Sequence, residues 1–295
     1  VALIAPANLF DSPRRARALA AVGVLLLSFD ALHVRLAGVP AADILVWRGA
    51  LTFAGLGMWT ILRRRAALRS GPFWVSAVIL GVDSGLFVWA IDAAGSVANA
   101  LILLTTAPLQ AALLGGIVGR DRVPLRTWLA VAAAAASVAF AFGDRVGGGF
   151  GVGEVVALAG AFLMALNLNW LRRYPDIPRV PAVAMAGGVT LLVALPWATF
   201  TPPPPIGLAA MLVMGAVLLP VSLSLLTSAT RALPAAETGL FMLIETVAGP
   251  LWVWLVLAEP VAPRVLIGGT GVLAAVAVHA WLARREELSQ VAGAA

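Results

Sequence analysis

The chain has 295 residues, of which 61% are hydrophobic and 12% charged, with a mean hydropathy of +0.99 and a formal net charge of +6. That much apolar surface cannot be hidden in a water-soluble core, so the composition excludes a soluble domain. All 20 basic residues are Arg and no Cys is present, which rules out disulfides, thiol catalysis and the Lys-containing phosphate loop of a built-in ATPase.

Ten apolar runs follow one another along the chain, each near the ~20 residues that cross a bilayer. They predict helices near residues 18–36, 42–62, 73–93, 96–118, 124–142, 151–171, 181–199, 206–229, 235–257 and 263–283. Pro40, Pro72, Pro124, Pro181 and Pro234 stand at or just before predicted helix starts, where a missing N–H costs least. The tract Thr201-Pro202-Pro203-Pro204-Pro205 can only be a loop.

Arg14, Arg15 and Arg17 precede the first run as they would in a secretory signal. The run from Ala18 to Leu36 is longer than a typical signal core and carries Asp30, His33 and Arg35, so it reads as a retained helix. Asp30 lies about six residues from the outer end of the first predicted helix, and Arg48 about six residues into the second, depths that make them partners in an ion pair or outer gate. A second reading has Arg48 bind a substrate carboxylate. His33, one turn from Asp30, joins that cluster or caps it.

An ionisable side chain at mid-depth in a bilayer is costly enough to be a functional candidate by default. Asp83 in the third predicted helix and Glu245 in the ninth each lie about ten residues in, roughly 15 Å from the helix start and near the midplane. Either could exchange protons with a substrate, or be a hydrogen-bonded structural carboxyl. Phe87 is one turn from Asp83 and shares its face.

In the fourth predicted helix Asn99, Leu103, Thr106 and Gln110 align on one face beside Pro108, suited to a solute path or to ordinary interhelical bonding. Asn167 and Asn169 in the sixth are two apart and cannot both face one cavity; Asn167 is the deeper. In the ninth, Phe241, Glu245, Ala248 and Trp252 share a face, with Pro250 loosening the backbone ladder. An aromatic pair flanking a carboxylate suits an amphipathic solute, and equally suits packing. Asp121, Glu237 and Glu259 fall at helix starts, where the dipole favours a carboxylate, and are read as structural. His33 and His279 are the only two His and make no metal centre by themselves; no cofactor is expected.

With the N-terminus inside, the inner segments hold Arg14, Arg15 and Arg17; Arg63, Arg64, Arg65 and Arg69; Arg120, Arg122 and Arg126; Arg172, Arg173 and Arg179; Arg231; and Arg284 and Arg285. Only Arg35, Arg48, Arg145 and Arg264 are left for the outer ends. The positive-inside rule therefore places both termini in the cytoplasm and supports an even number of spans. Topology accounts for the basic charge, so no nucleic-acid partner is expected. Trp47, Trp59, Trp74, Trp128, Trp170, Trp197 and Trp281 fall near predicted helix ends, where amphipathic rings anchor at the headgroups.

Ten spans divide into five plus five, and an odd number per half makes the two repeats point in opposite directions. The best internal match sets residues 98–139 on 236–277, pairing Ala98 with Ala236, Leu113 with Leu251, Val118 with Val256, Val123 with Val261 and Arg126 with Arg264, with Asp121 opposite Glu259. The charged matches carry most weight, because charges are scarce.

The strings "TTAPLQAALLGGIVGRDRV" (105–123), "IETVAGPLWVWLVLAEPV" (244–261) and "LLLSFDALHVRLAGVPAADILVWRGALTFAGL" (25–56) resemble the drug/metabolite transporter superfamily, in particular its EamA-type members. In that family the fourth helix of each repeat carries a Pro and ends in Gly-Glu. Here Asp121 replaces the Glu and Ala258 stands where Gly is common. The resemblance implies an all-α integral membrane protein with ten transmembrane helices in two inverted five-helix repeats, residues 1–142 and 143–295. It implies alternating access through a central cavity lined by helices 1–4 and 6–9, with export of small metabolites.

The expectation is thus a secondary transporter, not an enzyme, in the cell inner or plasma membrane. It exports amino acids, aromatic or hydrophobic ones included, and its partners are a small-molecule substrate, the lipid bilayer and protons. The alternatives are a multidrug or organic-cation exporter of the same fold, an intramembrane lipid-modifying enzyme, a passive channel or a structural subunit.

Overall fold

The structure is a computed structural model and describes residues 12–93, 103–119, 123–142, 151–258 and 263–293. Among the described residues 87% are helical and none is in a strand. Eight helices are long and apolar enough to span a bilayer: α1 (Pro13–Ala37), α2 (Ala41–Arg63), α3 (Gly71–Ala93), α6 (Val152–Arg173), α7 (Arg179–Trp197), α8 (Pro205–Ala229), α9 (Ala235–Leu257) and α10 (Pro263–Gly293). Two further apolar helices, α4 (Ala107–Gly119) and α5 (Leu125–Phe142), are shorter. The chain is a multi-pass membrane protein. Leu and Ile side chains as open as Ile117, at 78% exposure, form the surface that lipid covers.

Several helices depart from regular geometry in ways hydropathy does not disclose. α1 consists of two helices, Pro13–Leu27 and Asp30–Ala37, separated by a tight turn at Ser28 and Phe29. There the Ser28 hydroxyl donates to the Leu25 carbonyl (2.6 Å), and the Phe29 N–H turns back to Leu26 (3.2 Å). The turn leaves Asp30 in the first turn of a new helix, where the dipole favours a carboxylate. α2, α4 and α8 each contain one wide π-type turn, at Phe53–Gly57, Gly115–Gly119 and Met214–Leu218. In α8 that turn precedes Pro220 and absorbs the ring that would otherwise meet a carbonyl of the preceding turn.

The helices pair in a definite pattern. α3 lies along α6 and α7, α1 along α8 and α9, and α2 along α7; α4 packs between α6 and α9, and α5 runs against α10. Without water to drive association, such contacts depend on close backbone approach. Gly49 of α2 shows it best, since a Cβ there would stand 2.7 Å from the Gly187 carbonyl oxygen and the Leu191 nitrogen of α7. Two large apolar clusters result. One joins α1, α5, α8, α9 and α10 through Val24, Val131, Leu226 and Leu240. The other joins α3, α4, α6 and α7 through Leu80, Ala111, Leu168 and Val183.

A cavity among seven helices holds the embedded charges

Polar side chains from α1, α2, α3 and α9 meet in a cavity of about 70 Å³, which α6, α8 and the residues entering α4 complete. At about 10–15 Å³ for one water, this space holds several waters or a small solute, and a larger one requires the helices to part. Asp30, Arg48, Asp83 and Glu245 all line it, together with the hydroxyls of Ser84, Thr105 and Thr246. The remaining wall is apolar, with Leu27, Leu80, Phe87, Met164, Leu219 and Met242 among its residues.

Asp30 and Arg48 form a buried ion pair, with Arg48 Nη1 donating to Asp30 Oδ2 at 3.3 Å. Asp30 Oδ1 and Arg48 Nε make no hydrogen bond among the described residues, so the pair has unused bonding capacity. Asp83 and Glu245 are more than nine-tenths buried, at 6% and 8% exposure. Neither makes a hydrogen bond or ion pair with any described residue. Asp83 faces Gly160 of α6, where an added Cβ would lie in ordinary contact, 3.6 Å from Asp83 Oδ1. The four charged groups carry one positive and three negative formal charges. Among the described residues no three acidic or His side chains converge on a point that could hold a metal ion.

Other residues expected at the site lie elsewhere. Asn99 falls outside the described residues. Thr106 and Gln110 do not line the cavity; the Thr106 hydroxyl donates to Leu103 O (2.6 Å) and accepts from Gln110 Nε2 (2.8 Å), while the adjacent Thr105 occupies the wall. The chain turns at Thr105 and Thr106 before α4 begins, which shifts the helical phase counted through that stretch. Asn167 and Asn169 are both fully buried between helices instead. Asn167 accepts from Ser76 of α3 (2.7 Å), and Asn169 donates to Ala111 O of α4 (3.0 Å).

Phe241 sits in the apolar cluster of α1, α5, α8 and α10. Trp252 stacks on Phe29 with centroids 4.3 Å apart and donates to Ser28 Oγ (2.8 Å), which fastens α9 to the turn in α1. The bland reading of that aromatic stripe, packing, describes both residues. His33 does not join the Asp30 cluster, because its Nδ1 lies 2.7 Å from the Phe29 carbonyl one turn back.

One polar cluster was not anticipated as such. Arg17 Nε of α1 donates to Glu237 Oε1 of α9 at 2.6 Å, and His279 Nε2 of α10 lies 3.6 Å from the same oxygen. All three side chains are buried. Glu237 does occupy the first turn of α9, yet its partners are side chains more than 40 residues away in sequence. Only the scarcity of buried charge could have flagged them. The cluster ties α1, α9 and α10 together near the end where α1 and α9 begin.

No family profile and no curated protein matches the chain. It is similar to a solved crystal structure with a TM-score of 0.76 at 19% identity, over 92% of this chain and 97% of that one. At that identity the likeness concerns the fold alone.

Proposed function

We propose that this chain is a secondary transporter of small organic solutes, working by alternating access in the manner of the EamA-type drug/metabolite transporters it resembles. The observation that carries the reading is the central cavity, in which two buried carboxyl groups without a hydrogen bond or ion pair among the described residues lie among helices from both halves of the chain. Such groups are expensive in a membrane interior and mark solute or proton paths. Asp83 and Glu245 are the proposed coupling groups, exchanging protons against the solute, and the Asp30–Arg48 pair is the proposed gate.

The helix pairings support ten spans in two opposed five-helix repeats. Exchanging each helix for the one five places along turns the α3–α6 contact into α8–α1 and the α4–α6 contact into α9–α1, and returns α2–α7, α4–α9 and α5–α10 to themselves; every one of these contacts is present. A cavity on the axis relating two inverted repeats is where alternating access needs it. Arg segregation supports cytoplasmic termini and an inner or plasma membrane location, with export as the direction of transport.

Reconstitution into proteoliposomes tests the proposal, with a panel of amino acids and organic cations supplied with and without a pH gradient. Saturable flux that responds to the gradient and is lost in Asp83→Asn or Glu245→Gln is the expected result. Flux indifferent to the gradient and to both substitutions removes the coupling role, and no saturable flux for any panel member removes the transporter reading.

A further inference from the structure

The charges and walls of the cavity name a substrate class within the transport reading, on which this step rests. We infer that the cavity binds an organic ammonium ion with an apolar body and no carboxylate, its charged end meeting Asp83 and Glu245.

Charge balance makes the argument. Arg48 has its counter-charge in Asp30, 3.3 Å away. That leaves Asp83 and Glu245, both more than nine-tenths buried, both lining the cavity and both without a hydrogen bond or ion pair among the described residues, so that one Arg48 faces three acids. A buried carboxyl outside an ion pair either holds a proton or is met by a cation, so a site with two of them exchanges protons for a cation and repels an anion. A carboxylate on the solute would have to share Arg48 with Asp30 and sit among three acids, which disfavours a zwitterionic amino acid against the amine of the same skeleton.

The charge is not matched by geometry suited to a metal, since the acidic groups do not converge on a common point among the described residues. Walls instead suit a carbon body. Phe87 offers an aromatic face of the kind that attracts ammonium groups, and Met164 and Met242 supply adaptable thioether contact. Ser84, Thr105 and Thr246 provide acceptors for the remaining ammonium protons.

The test is a binding series on the full chain in lipid nanodiscs, using 2-phenylethylamine, its trimethylammonium derivative, phenylalanine and 3-phenylpropionate. These share one apolar body and differ in charge. The two cations bind, phenylalanine binds at least tenfold more weakly, and phenylpropionate does not compete. Asp83→Asn and Glu245→Gln each weaken the fixed-charge derivative at least tenfold. Asp30→Asn, which frees Arg48, shifts the ratio of phenylalanine to phenylethylamine affinity toward phenylalanine.

Phenylalanine binding as tightly as the amine overturns the inference, as does absence of binding by both cations, and neither result depends on a variant. Cation binding with no saturable flux in proteoliposomes would keep the ligand class and remove the transporter reading. Saturable phenylalanine flux without cation binding would do the reverse.

Discussion

Glu237→Gln tests whether charge holds α1, α9 and α10 together at this end of the bundle. In the structure Glu237 Oε1 receives Arg17 Nε at 2.6 Å with His279 Nε2 at 3.6 Å, and the Arg17 and Glu237 side chains are 10% and 2% exposed. With group centres ~4 Å apart and an effective dielectric near 20, the attraction lost is on the order of 4 kcal/mol. Removing one member of a buried pair costs ~3–5 kcal/mol by experience in other proteins, mostly because the other charge is left stranded. The single substitution is therefore expected to lower unfolding free energy by about 3 kcal/mol, after allowing for the hydrogen bond a Gln can still accept. Arg17→Met should cost a similar amount, and the double variant clearly less than the sum. The assay is reversible denaturant unfolding in mixed micelles, analysed as a double-mutant cycle. The chain has no Cys, so a single Cys placed at Ala20 also reports, by its rate of thiol labelling, whether that end opens. A coupling below about 0.5 kcal/mol, with unchanged labelling, would refute the claim that this cluster fastens the three helices.

Three further substitutions follow from the helix contacts and loops. Gly49→Ala places a methyl 2.7 Å from α7 backbone atoms that cannot rotate away, so it should destabilise by about 2–3 kcal/mol in the same unfolding assay, and an unchanged midpoint would disprove the contact. Asp43 accepts from the backbone N–H groups of Thr199, Phe200 and Thr201 and from the Thr199 hydroxyl, at 2.7–3.0 Å. Asp43→Ala should free that exposed loop, where Phe200 sits at φ 53°, and raise chymotrypsin cleavage at Phe200 at least tenfold. Ala258 ends α9 in the left-handed region at φ 54°, so Ala258→Gly should stabilise by about 1 kcal/mol, read as a higher unfolding midpoint.

Sequence legibility depended on whether a property is local. Eight spans were legible because a bilayer demands ~20 consecutive apolar residues, and that demand is written in the order of the residues. Depth was legible within each pair for the same reason, since rise per residue is fixed: Asp30 with Arg48, and Asp83 with Glu245; that both pairs line one cavity was not, because it depends on how the helices pack. Direction was not, because it accumulates at 100° per residue and one irregular turn resets it. At the turn of Thr105 and Thr106, Thr105 lines the wall and Thr106 bonds to the Leu103 carbonyl. Phe241 and Trp252 recur with Glu245 at helical spacing, but α9 meets the cavity through Met242, Leu243, Glu245 and Thr246, while Phe241 joins an apolar cluster and Trp252 stacks on Phe29.

The polar residues that bond between helices explain why those in the cavity can remain unpaired. Thr52 donates to Gly215 O (2.8 Å), Thr190 to Gly81 O (3.0 Å), and Ser76 to Asn167 (2.7 Å), joining α2 to α8, α7 to α3 and α3 to α6. Each of these three hydroxyls has an acceptor within the bundle, as a membrane interior favours. Asp83 has the same burial and the same kind of helical setting, yet across from it α6 presents Gly160, followed by Ala161, where a larger or hydroxylated residue would have filled the space or met the carboxylate. In sequence, Gly160 and Ala161 are two small residues in an apolar run and carry no signal. They acquire one only when α3 is laid along α6. The space beside Asp83 is then bounded by two small residues that bring no polar side chain to it, which is the arrangement of a site that leaves a carboxyl for something other than the protein to meet.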